Sequence, residues 1–192
     1  MAQYDDRLSP ATAAPPGYDL LTQSAHWLSL GVIAAAFATG LLMEDMPRGP
    51  EKTLLVNLHA SLGVLVIALT VLRLSWRTIV PTPKTAGSPL LQVAAQAMHV
   101  ALYAVVLAVP LCGLLMMAAK GRAFDVFGLF TVPPLIATDR ALGESLEEAH
   151  EILAYLLLVL VGLHAAAAIF HQAILRDGTL SRMLPFVRAG DA

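Results

Sequence analysis

Long uncharged runs alternate with short charged ones along this chain, and that alternation sets its architecture. Leu20 to Met43 holds no Asp, Glu, Lys or Arg. Its length, about 24 residues, suits a helix crossing a hydrocarbon core of about 30 Å. Thr53 to Leu72 supplies a second uncharged window and Ile152 to Leu175 a fourth, each of about 20 residues or more. The third uncharged run begins at Thr85, but Gly87, Ser88 and Pro89 are turn residues, so its span is predicted from Val93 to Ala118. Lipid offers backbone groups no hydrogen-bond partners, so each window is predicted helical. The expected fold class is an all-α integral membrane protein, a four-transmembrane-helix bundle.

The connections differ in character. Residues 1–19 carry Pro10, Pro15 and Pro16 among small residues and read as a disordered cytoplasmic tail rather than a signal peptide. Residues 20–176 form the membrane domain, and 177–192 a cytoplasmic C-terminal tail. Four spans put both termini on one face. Arg73, Arg77, Lys84, Arg176, Arg182 and Arg188 gather there, while Glu44, Asp45, Glu51, Asp125, Asp139, Glu144, Glu147 and Glu148 gather on the other. The basic bias assigns the termini to the cytoplasm. The third loop, about Lys120 to Glu148, is long for a helix connection, and its run Phe124 to Leu135 has the apolar content of an interfacial segment.

Composition narrows the function. Hydrophobic residues make up 57% of the 192 and charged ones 14%, with a net charge of −2, which excludes a nucleic-acid footprint and leaves the lipid bilayer as the medium. Cys112 is the single cysteine, so there is neither an internal disulfide nor a Cys-x-x-Cys-His attachment motif.

Histidines inside the spans are the candidate chemistry, because ionisable groups in lipid are costly and functional. His150 and His164 are 14 residues apart, about 21 Å of helical rise, so they share a face at opposite depths. His26 near the start of span one and His59 near the start of span two supply one further imidazole at each depth. The pairs are His26 with His164 and His59 with His150, and two axial histidines per iron hold a b-type heme. Counted from flanking charges, the depths are offset, and sliding the fourth helix toward the cytoplasm reconciles them. Gly63, Gly162 and Ala165 to Ala168 offer small surfaces against a flat macrocycle, or against a neighbouring helix. Arg73, 14 residues beyond His59, either pairs with a heme propionate or snorkels to the headgroups. His171 continues the stripe of His164 and suits a quinone or its protons. His99 reads as satisfying an interfacial backbone group.

These pieces together resemble the bacterial cytochrome b561 family, specifically its quinone-reducing superoxide oxidase members. The resemblance runs from Leu20 to Pro185. It is carried by Ala25-His26-Trp27-Leu28, Asn57-Leu58-His59, Val71-Leu72-Arg73-Leu74, Pro81-Thr82-Pro83, Pro110-Leu111-Cys112-Gly113, Phe127-Gly128-Leu129, Gly162-Leu163-His164-Ala165 and the segment Asp177 to Pro185. It implies an inner-membrane cytochrome with two b hemes on His26, His59, His150 and His164. It further implies that superoxide is oxidised to dioxygen at the outer face and that ubiquinone is reduced near His171. The N-terminal extension and the stretch Lys120 to Asp125 depart from that pattern and leave the superoxide entry undefined. Lys120, Arg122, Arg140, Arg48 and Lys52 are the cations available to steer superoxide, diluted by neighbouring carboxylates. Two other readings stand: an electron-transfer subunit linking a redox partner protein to quinone, and a heme-free four-helix scaffold.

Overall fold

The computed structural model describes residues 17–81 and 88–184. Tail residues 1–16 and 185–192, with Lys84 and Arg188, lie outside the described residues. Four long helices account for most of the rest: α1 (Leu20–Glu44), α2 (Pro50–Ile79), α3 (Pro89–Ala119) and α4 (Arg140–Phe170). All four are long and apolar enough to cross a membrane. Most large apolar side chains along them are exposed, which is the pattern of a bundle whose solvent is lipid.

The helices outrun the uncharged windows. Pro50 opens α2 at its first turn, where a missing N–H costs nothing, and Pro89 does the same for α3. The charged residues that end a hydrophobic window do not end a helix. Arg73 and Arg77 stay inside α2, and the predicted loop residues Arg140 to Glu148 form the first turns of α4. Asp139 caps α4 by accepting from Leu142 N at 3.0 Å. The remainder of the third loop is a small antiparallel hairpin, β1 (Phe124–Val126) with β2 (Phe130–Val132), packed on α2 and α3 through Phe124 and Val126.

Packing is pairwise. α1 lies along α2 and α3 along α4, with a further seam between α2 and α3. A buried cluster of Val32, Val66 and Leu69 holds the first pair to Val106 of α3. At the end of α4 a π-helical turn, His171–Leu175, leads to Arg176 at φ 51°, which reverses the chain. The segment Asp177 to Leu184 then runs back under α1. Tyr18 N and the buried Gln23 side chain donate to Arg182 O at 3.2 and 3.0 Å, and Trp27 Nε1 donates to Met183 O at 2.8 Å.

Asp19 anchors the start of α1. Its carboxylate accepts from Thr22 N, Thr22 Oγ1 and Trp76 Nε1 at 3.0, 2.6 and 3.1 Å. Burial raises its pKa, but these hydrogen bonds outweigh it and hold the carboxyl below its ordinary value. Asp19→Ala is expected to cost about 1 kcal/mol of stability, and Asp19→Asn less, in thermal melts of the purified protein. Because the folded pKa is the lower one, the contribution is full above about pH 4 and disappears as pH falls through the folded value. The difference in melting temperature between wild type and Asp19→Ala therefore narrows in acid.

Candidate functional site

A 14-residue step recurs on all four helices: His26 to Gly40 on α1, His59 to Arg73 on α2, His99 to Gly113 on α3, and His150 to His164 on α4. Each step is about 21 Å of rise, so in a core of about 30 Å the two levels lie about 5 Å inside either boundary. The level near the chain termini collects His26, Arg73, His99 and His164. The level near the α1–α2 and α3–α4 connections, the loop face, collects Gly40, His59, Gly113 and His150.

At the loop-face level the rings of His59 and His150 stand 6.0 Å apart, centroid to centroid. At the termini level His26 and His164 stand 6.3 Å apart. An imidazole bound at the about 2.0–2.1 Å of a metal–histidine bond has its ring centre about 3 Å from the metal, so two axial rings are about 6 Å apart. Both pairs have that spacing, and the offset in depth counted from flanking charges is absent.

The two levels control their histidines differently. His59 Nδ1 lies 2.9 Å from Ala36 O and 3.2 Å from Thr39 Oγ1, and His150 Nδ1 lies 2.9 Å from Val109 O. A carbonyl only accepts, so each Nδ1 carries the proton and each Nε2 keeps its lone pair, the state a metal ligand needs. Ala36 is one turn before Gly40 and Val109 one turn before Gly113. The glycines let the rings lie against the helix backbone: a Cβ on Gly113 would stand 3.0 Å from His150 Cε1, and one on Gly40 3.3 Å from His59 Cε1. The small residues singled out in the sequence do otherwise. Gly63 meets Pro110 of α3, and Gly162 meets nothing within 4 Å. Ala165 and Ala168 alone of that group line a ring-bearing space. Gly40 and Gly113 are the residues that sequence reasoning missed, and the 14-residue interval was their signal.

The termini level opens on a cavity of about 510 Å³, in the range that holds cofactor-sized molecules. His26, His99, His164, Arg73 and Trp76 are on its wall, with Thr179 of the returning C-terminal segment. Arg73 points inward, 3.2 Å from His26 Nδ1 and over the Tyr103 ring at 5.5 Å, rather than out to the headgroups. Arginine has no acceptor, so His26 Nδ1 must accept, and its Nε2 becomes a ligand only when Arg73 turns to another acceptor. His99 does not cap an interfacial backbone group; its ring lies 5.7 Å from His164. Burying it against a second imidazole, facing inward, is what no single-helix reading foresees. Between the two levels Phe37 of α1 meets Tyr155 of α4 edge to face at 6.0 Å.

His171 is not on the cavity wall. Its Nδ1 is 2.6 Å from Asp177 Oδ2, and Asp177 Oδ1 accepts from Thr179 N and Oγ1 at 3.0 and 2.6 Å. Burial raises the Asp177 pKa, yet the hydrogen bonds from Thr179 and His171 outweigh it and lower the value. On the loop face, Lys120 is held by Glu147 at 2.6 Å, Arg140 by Glu144 at 2.9 Å, and Lys52 Nζ donates to Met46 O at 2.9 Å.

Comparison with known proteins agrees with this geometry. Residues 17–186 match the family described as prokaryotic cytochrome b561. The chain is 35% identical to "Cytochrome b561 homolog 2" of Escherichia coli (strain K12) over 90% of its own length and 94% of that protein. It is 31% identical to "Cytochrome b562" of Cereibacter sphaeroides and 29% identical to "Probable superoxide oxidase CybB" of Yersinia pestis, in each case over 88% of this chain and 96% of the other.

The glycine cradle makes a direct prediction. Gly113→Ala should displace His150 and lower the heme content of the purified protein, at a cost of roughly 1–3 kcal/mol in stability. Gly40→Ala, with a contact 0.3 Å looser (3.3 against 3.0 Å), should cost less. Heme quantitation per chain and melting temperature read both.

Proposed function

The chain belongs to the prokaryotic cytochrome b561 family, multi-pass membrane proteins of b-type heme electron transfer, and we propose that it is a di-heme superoxide:ubiquinone oxidoreductase of the inner membrane with both termini cytoplasmic. The observation that carries the proposal is the pair of bis-histidine gaps, 6.0 and 6.3 Å between ring centres. His59 and His150 would hold one heme near the outer face, and His26 and His164 the other near the cytoplasm. Heme supplies one-electron chemistry when bound, and no acid or base is needed where superoxide gives up its electron. Two superoxide ions become two dioxygen molecules, and their two electrons with two protons convert one quinone to its quinol.

The protein's part is binding and proton handling. Ala36 O and Val109 O orient the outer imidazoles. With heme bound, Arg73 would pair with a propionate in place of His26, leaving His26 Nε2 available as a ligand. At the cytoplasmic side the chain His171–Asp177–Thr179 reaches from the end of α4 to the cavity wall. His171 holds the proton at its ring, Asp177 fixes that ring, and Thr179 faces the space where a quinone carbonyl would be reduced. The likeness to a protein named as a probable superoxide oxidase supports the outer half-reaction.

One observation favours a second reading, an electron-transfer subunit that passes electrons between a redox partner protein and quinone. Two of the cations available to steer superoxide are offset on the loop face, Lys120 by Glu147 and Arg140 by Glu144. The test is a reduced-minus-oxidised spectrum with heme quantitation, then mixing with superoxide and a soluble quinone. Two hemes per chain, reduced by superoxide and reoxidised by quinone, are expected. Two hemes indifferent to superoxide would transfer the function to the second reading, and none would return the chain to a scaffold. His164→Ala should remove one heme and spare the other, while His99→Leu should leave both. Asp177→Asn should leave heme content and reduction by superoxide unchanged and slow quinone reduction roughly tenfold, most at high pH, where protons are scarcest.

A further inference from the structure

The third-loop hairpin carries a cost that packing alone does not explain. Its turn places Phe127 at φ 49° and Gly128 at φ 69°, with Leu129 N donating to Val126 O at 2.9 Å. Gly128 adopts that conformation freely, whereas an aromatic residue there is strained. Ser61 of α2, almost fully buried, maintains it: its hydroxyl accepts from Phe127 N at 2.9 Å and lies 3.1 Å from Asp125 O. The strain presents side chains outward. Leu129 is 80% exposed, Phe130 56% and Phe127 48%, and Leu135 beyond the hairpin 76%.

The two faces of the hairpin are unlike. The paired register puts Phe124, Val126, Phe130 and Val132 on one face and Asp125 with Thr131 on the other, where Thr131 Oγ1 donates to the Asp125 carboxylate at 2.5 Å. Phe124 and Val126 pack against Met117 and, across α2, Ala60 and Val64. Depth follows from two rulers. Ser61 is nine residues beyond the charged Lys52 on α2, about 13 Å, while Met117 is three residues before the charged Lys120 on α3, about 5 Å. The hairpin thus lies between those depths, where amphipathic elements sit at the boundary of headgroups and acyl chains.

We propose that this hairpin is a membrane-interface anchor: its tip, Phe127 to Phe130, is seated in the acyl region of the leaflet on the loop face, with the Asp125–Thr131 face turned to the headgroups. The occupant of the exposed apolar surface is lipid. At the boundary of headgroups and acyl chains water supplies the partners that open strand edges lack, and on the inner side Ser61 meets Phe127 N and Asp125 O. The anchor rests on the fold and is independent of superoxide or quinone chemistry.

The test uses a nitroxide on the whole heme-loaded protein in vesicles of phosphatidylcholine and phosphatidylglycerol. Cys112→Ser removes the native thiol, and Leu129→Cys or, separately, Phe130→Cys takes the label, with Arg140→Cys as a polar reference on the same face. Each carrier must show the wild-type heme spectrum. The expected result is a label at 129 or 130 at least several-fold more accessible to oxygen than to a water-soluble nickel chelate, relative to position 140. Accessibility to the chelate equal to that at 140 would overturn the anchor in favour of a solvated loop. Shielding from both reagents would overturn it in favour of a second copy of this chain covering the tip.

Discussion

The constraint on which the proposed di-heme reading depends is the distance two imidazoles would keep across one iron. About 6 Å between ring centres leaves room for one metal between two facing ring nitrogens and no more, so the helices that carry them must be held apart by a fixed amount. Packing α1 on α2 and α3 on α4 achieves this, because each histidine pair then spans the gap between two rigid helix pairs rather than a seam within one. Lipid cannot supply the force that holds the gap. Without a hydrophobic drive between helices, close packing of the Val32, Val66 and Leu69 cluster and a few satisfied polar contacts must do so.

The second constraint is axial. An interval of 14 residues is nearly four turns, so it repeats a helix face at about 21 Å, a spacing that keeps two sites apart within one bilayer. All four helices obey it, but with different residues, and this is why much of the site was legible in the sequence and part was not. His150 to His164 announces itself because both ends are histidine. His59 to Arg73 was readable as a shared face. His26 to Gly40 and His99 to Gly113 have a histidine at one end and a glycine at the other, and a lone glycine in an apolar helix carries no mark of its purpose. Its role exists only across the gap, where the partner ring occupies the volume a Cβ would take. The fold was similarly legible by window and not by boundary: membrane spans end where charge begins, whereas helices end where capping and backbone partners end, as Asp139 shows for α4. The hairpin of Phe124 to Val132 escaped because its register depends on Ser61, a single hydroxyl in another helix.

The two levels, built on one spacing, are not equivalent, and the difference is in what holds Nδ1. On the loop face the acceptors are backbone carbonyls of α1 and α3, which cannot rotate away; ring orientation and tautomer are fixed by the fold itself. At the termini level the partner of His26 is Arg73, a long side chain that in the same conformation lies over Tyr103. A fixed carbonyl suits a site that only holds its ligand. A movable guanidinium beside a cavity, with His99 as a third imidazole, suits a site that must also accommodate an anion or a second molecule.

The returning segment extends that contrast to the edge of the bilayer. The π-helical turn at His171 and the left-handed Arg176 end α4 abruptly, and only then does the chain lie under α1 with Thr179 and Met183 at the cavity wall. Its attachments are polar and point to backbone oxygens: Tyr18 N, Gln23 Nε2 and Trp27 Nε1 all donate to carbonyls of Arg182 and Met183. Such bonds are individually worth about 1 kcal/mol. The wall they build carries the Asp177 carboxylate that links His171 to the interior. Fixed carbonyls at one level and a polar returning segment at the other follow from the same rule, that a backbone oxygen inside the bundle keeps a hydrogen-bond partner.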